Sequence, residues 1–114
     1  MISQLKILGL WWSISTSESV DTNGNLGEMR STKLQIALSP SMAVAQQGEV
    51  LLHEIFEAIV CQLGIKLEHS KLQALSASLH QVMVDNAEAF SAISANEMPI
   101  VQLPLLTSIP TSLP

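Results

Sequence analysis

Two periodicities divide the chain. Up to about residue 38 the apolar positions recur every second residue, as a strand with one buried face requires. Lys6-Ile7-Leu8-Gly9 and Trp11-Trp12-Ser13-Ile14-Ser15-Thr16 carry the β-branched and aromatic side chains of strands. Leu34, Ile36 and Leu38 share one face of a third segment, which Ser39-Pro40 ends. Between them, Asp21-Thr22-Asn23-Gly24-Asn25 is a turn cluster, and its Asn-Gly pair accepts the positive φ of a tight hairpin.

From about Ala43 the period becomes helical. At 100° per residue, Leu51, Leu52, Ile55, Phe56, Ile59, Val60 and Leu63 fall within one half of the wheel. Glu54, Glu57 and Cys61 fall on the other half, with His53 at the edge between them. Gly64 suits the left-handed residue that closes a helix. Ser70-Lys71-Leu72-Gln73 fits a capping box, and Leu72, Leu75, Leu79, Val82 and Met83 form the stripe of a second helix. The short connection implies an antiparallel helical hairpin.

The predicted fold is therefore α+β: an antiparallel sheet of about three strands from residues 4–38, covered by helices near 43–63 and 70–87. Ile36, Leu52, Ile55, Ile59, Leu75, Leu79 and Val82 are its expected core. Residues 1–90 read as one domain. Residues 91–114 hold Pro99, Pro104, Pro110 and Pro114 and read as a proline-punctuated extension, either loose or strapped onto apolar surface.

Composition narrows the function. The 114 residues are 47% hydrophobic and 13% charged, enough apolar side chain for one modest core. A formal charge of −5 with five scattered basic residues excludes nucleic acid as a main partner. No apolar run reaches the roughly 18 residues of a spanning helix, and the first residues lack the parts of a secretory signal. The single cysteine, Cys61, allows no disulfide within the chain. By elimination these features imply a cytoplasmic protein.

The chemistry lies in Leu51-Leu52-His53-Glu54-Ile55-Phe56-Glu57-Ala58. In an HExxH helix, two histidines one turn apart hold zinc and the glutamate between them acts as a base. Here His53 and Glu54 are present and Glu57 stands where the second histidine would be. At i and i+4, His53 and Glu57 point the same way, and both are accepted zinc ligands. An ordinary histidine–glutamate pair on a helix surface has the same spacing. Glu54 is the candidate general base. A third ligand must come from outside this turn. If one helix ends at 63 and the next begins at 71, His80 lies level with His53. His69, in the connection, lies nearer Glu57 and is the other candidate.

The run from Ile7 to Asn86 resembles a group of small phage- and prophage-encoded proteins. The landmarks are Gly27-Glu28 before the strand Leu34–Leu38, then Leu51-Leu52-His53-Glu54-Ile55, then Leu79-His80-Gln81-Val82-Met83-Val84-Asp85-Asn86. Members of the group are similar to minimal zincins, and some share the H-E-I-x-E-A helix followed by L-E-H, here Leu67-Glu68-His69. The resemblance implies a zincin-like fold, zinc on the His53 helix, Glu54 as the catalytic glutamate, and a protein partner or a peptide substrate. The chain departs from the group at Glu57 and at His80, which stands where an aromatic residue is usual. Three functions follow: a non-catalytic, degenerate zincin-like protein, favoured by the missing histidine; a zinc-dependent metallopeptidase; or a structural phage protein, favoured by the apolar tail.

Overall fold

The computed structural model describes residues 2–97, and the chain divides into two units at the Val82–Met83 boundary. The first unit has a four-stranded sheet in the order β1-β2-β4-β3, from β1 (Gln4–Ile7), β2 (Leu10–Thr16), β3 (Gly27–Arg30) and β4 (Gln35–Leu38). Helix α1 (Glu18–Thr22) separates β2 from β3, and the long α2 (Val44–Leu63) and α3 (His69–Asp85) follow. The class is α+β. Beyond the boundary lies α4 (Ala87–Ser94), which runs from the end of the expected domain into the first residues, 91–94, of the segment expected to be an extension. Of that segment, residues 98–114 lie outside the described residues. Among the described residues, no helix is long and apolar enough to cross a membrane.

The sheet is mixed, not antiparallel as expected: β2 and β4 run parallel, with Ile14 beside Ile36. The expected hairpin at Asn23-Gly24 is the end of α1, where Gly24 takes φ +74°. The tight hairpin lies instead at Leu8-Gly9, with φ of +47° and +87°, joining β1 to β2. Both central residues of such a turn need positive φ, which Gly9 adopts freely. Because α1 and β3 intervene, β4 returns alongside β2 in the same direction and leaves β3 as an edge strand.

Alternation places the core on one face. Ile7, Trp12 and Ile36 are buried there, and Leu5, Ile14, Met29, Leu34 and Leu38 pack around them. Leu51, Ile55 and Ile59 of α2 press on this face around Ala58, whose small side chain is completely buried. Of the adjacent tryptophans, Trp12 is in the core and Trp11 is 60% exposed. On the opposite face, Arg30 bonds Gln35 and reaches Ser19 of α1.

The inward stripe of α3 differs from the one expected. Leu72 and Ser76 are buried, whereas Leu75 and Val82 are about half exposed, at 52% and 48%. Leu72 belongs to two overlapping stripes separated by a small roll of the helix, and packing on α2 selects the one through Ser76. Urea unfolding should show the difference. Ile36→Val should cost about 0.5–1.5 kcal/mol. Leu75→Ser should stay within about 0.5 kcal/mol of wild type, as an exposed site does.

Candidate metal centre

Helix α2 carries His53, Glu54 and Glu57, and ends as a left-handed closure requires: Gly64 has φ +66° and Ile65 N–H bonds the Val60 carbonyl. The chain turns back and α3 begins at His69. Three pairs then face one another across the hairpin: Glu57 with His69, His53 with Ser76, and Gly48 with His80. Their opposite order along the two helices makes the pair antiparallel.

This register selects the third member of the cluster. His53 Nε2 lies 3.5 Å from Glu57 Oε1, and His69 Nδ1 lies 3.4 Å from the same oxygen. All three ligand atoms fall within 4.8 Å of one another. The two imidazoles meet edge to face with centroids 5.1 Å apart. His80 is elsewhere. Its ring packs on Gly48, five residues before His53, which at 1.5 Å per residue is about 7.5 Å along the axis. A Cβ at Gly48 would meet His80 Nε2 at 2.9 Å, so the glycine makes room for that ring.

The distances are long for hydrogen bonds and compatible with either an ion pair or a shared metal ion. An N–H···O bond has its optimum near 2.9 Å, and separations of 3.4 and 3.5 Å are long for one. Two ligand atoms each about 2.1 Å from a tetrahedral zinc stand about 3.4 Å apart. The cluster has that edge length on both sides of Glu57 Oε1. Its donors, two imidazoles and one carboxylate, form the His₂Glu set of several catalytic zinc sites.

Electrostatics reinforce this arrangement. Burial holds the pKa of His53 below its ordinary value, Glu57 and Glu49 opposing and His69 assisting. The ring is therefore neutral at pH 7, the form that coordinates a metal.

Glu54 departs most from the sequence expectation. The wheel puts it on the polar half of α2, yet it is only 6% exposed. It lies under the edge strand, where a Cβ on Gly27 would come within 3.0 Å of its Cγ and 2.9 Å of Val50 Cγ1. Gly27 thus lets α2 approach β3. Desolvation, then the charges of Glu57 and Glu28, push the Glu54 carboxyl up to about 7, against the Met29 backbone N–H that hydrogen-bonds it. The ladder explains why Met29 has a hydrogen to give. Ser39 N–H bonds the Leu26 carbonyl, so alternation turns the peptide groups of Glu28 and Arg30 into the sheet and those of Gly27 and Met29 to its free edge.

His53, Glu54 and His69 border a cleft of about 390 Å³. Gly24, Asn25, Leu26 and Gly27 form one wall, Gln46, Glu49, Val50, His53 and Glu54 the floor, and His69, Gln73 and Ser76 the other wall. Two participants carry no motif signal. Ser76 reads as one more small polar residue of a helix, and the Met29 N–H belongs to the backbone. Cys61, a turn beyond Glu57, is exposed. Compared with known proteins, the chain matches no family model, no curated protein and no solved structure.

Proposed function

We propose that this chain is a single-metal peptidase of the minimal zincin type, of the kind its phage and prophage landmarks resemble. His53, Glu57 and His69 are the residues that would hold zinc. The observation carrying the proposal is the pair of imidazole nitrogens at 3.4 and 3.5 Å from one carboxylate oxygen, at a cleft whose floor contains a buried glutamate. Zinc held there supplies Lewis acidity, acidifying water and polarising a carbonyl. Glu54 does the proton work. In the metal-free chain burial and the neighbouring carboxylates raise its pKa to about 7, and a cation held by Glu57 would lower it toward the ionised form that a general base needs. It takes a proton from the attacking water and returns it to the leaving amine.

A peptide substrate is supported by the open side of β3. The peptide groups of Gly27 and the Met29 carbonyl face this edge and give an extended chain something to pair with, as in β-strand addition, while the Met29 N–H is held by Glu54. The wall opposite, from α3, limits how the peptide lies.

A second reading has its own support. At 6% exposure Glu54 is nearly sealed, which suits a non-catalytic protein that uses zinc and the cleft only to bind a partner. One comparison separates the two: cleavage of an unstructured protein with zinc present, by wild type, by Glu54→Gln, and by wild type with a chelator. Cleavage by wild type alone supports the peptidase. Zinc binding without cleavage by either protein supports the binding role.

A further inference from the structure

Ser76 is polar, 1% exposed, and positioned opposite His53. Its Oγ lies 3.1 Å from the Gln73 carbonyl and 3.4 Å from His53 Nδ1. A hydroxyl has one hydrogen to donate, and a carbonyl oxygen can only accept. The Ser76 hydrogen is therefore committed to Gln73, and what the hydroxyl offers His53 is a lone pair. Nδ1 is then the nitrogen placed to carry the ring hydrogen, with Glu57 Oε1 competing for it at Nε2. In a neutral imidazole this leaves the other nitrogen, Nε2, with its lone pair free, and Nε2 is the atom 3.5 Å from Glu57 Oε1.

We propose that Ser76 is a positioning residue that locks His53 in the Nδ1–H tautomer, so that Nε2 is ready to coordinate the ion. The purpose of the lock rests on the metal-centre reading, but the tautomer itself does not. A serine that merely back-bonds within its own helix needs no partner on another helix and is usually solvated. Ser76 has such a partner and is sealed from water, where a hydroxyl needs its bonds. Metal-binding histidines commonly have their second nitrogen fixed in this way, by a group that settles the tautomer and the ring orientation. Here the group comes from α3, so docking of the second helix would preset a ligand on the first.

The test uses the full chain with ¹⁵N-labelled histidine, stripped of metal and held at pH 8, where neutral imidazole dominates. Long-range ¹H–¹⁵N correlations report which ring nitrogen carries hydrogen, and His53→Gln identifies the His53 signals. Wild type should show a protonated Nδ1 and a bare Nε2. Ser76→Ala should shift His53 toward the Nε2–H form and weaken zinc binding, read by competition with a chromophoric chelator, by about 10–100-fold. An Nε2–H tautomer in wild type overturns the proposal, as does an unchanged Nδ1–H tautomer in Ser76→Ala. If wild type shows the Nδ1–H tautomer and takes up no zinc, the lock stands and the metal-centre reading fails. Should Ser76→Ala not fold, the wild-type spectrum alone still decides.

Discussion

If the chain hydrolyses peptides as proposed, Glu54→Gln is expected to slow that reaction severely and, in the metal-free protein, to raise stability above pH 7. The activity loss follows from removing the base, a contribution of about 10²–10⁴-fold. The gain in stability follows from linkage. The Glu54 carboxyl titrates near 4.5 when unfolded and near 7 when folded. Below 4.5 it is protonated in both states. Between 4.5 and 7 only the folded state keeps its proton, so stability falls as pH rises through this window. The loss levels off above pH 7, at about 3 kcal/mol for a shift of this size. Glutamine is close in shape to the protonated acid and cannot ionise. The variant should therefore match wild type near pH 4 and exceed it by up to about 3 kcal/mol at pH 8, in urea titrations with chelator present. His53, whose folded pKa is lowered, contributes the opposite slope below its unfolded value near 6.5, and it does so in both proteins. A variant no more stable than wild type at pH 8 would contradict the burial of a desolvated Glu54 carboxyl. Lost function together with gained stability is the signature of a group held for chemistry rather than for folding.

Zinc should stabilise the folded chain strongly. At 100 times Kd a ligand specific for the native state adds about 2.7 kcal/mol. For a domain of this size that corresponds to a rise in Tm of roughly 10–20 °C. A chelator should reverse it. His53→Ala and His69→Ala should each eliminate the rise, whereas His80→Ala should retain it, because His80 packs on Gly48 away from the cluster. A rise that survives His69→Ala and disappears in His80→Ala would mean that the helices meet in the other register. This measurement does not depend on activity, so it separates metal binding from catalysis.

Much of this protein is written locally. The period of two at Leu34-Ile36-Leu38 and the period of 3.6 from Leu51 reflect backbone geometry, and β4 and α2 appear where those periods place them, whereas the short α1, β3 and α4 carry no such signal. Within α2 the i, i+4 spacing of His53 and Glu57 is equally local, since the rise and turn of a helix bring them together whatever surrounds it. Gly64 ends that helix because a left-handed residue is needed there.

The rest depended on how the elements meet. A helical wheel counts polarity, so it put Glu54 outside; the edge of β3, admitted by the bare Cα of Gly27, covers it and raises its pKa. The choice between His69 and His80 turned on helix register. The connection after Gly64 and the start of α3 at His69 set that register, bringing Ser76 rather than His80 beside His53. The parallel pairing of β2 with β4 likewise required α1 and β3 to lie between them. Spacing within one helix or strand is set by its own backbone, and so the sequence by itself determined the longer elements and two of the three clustered side chains. Registers between elements are set by loop closure and packing, and so only the tertiary structure decided the third member, the burial of the glutamate and the serine behind the histidine.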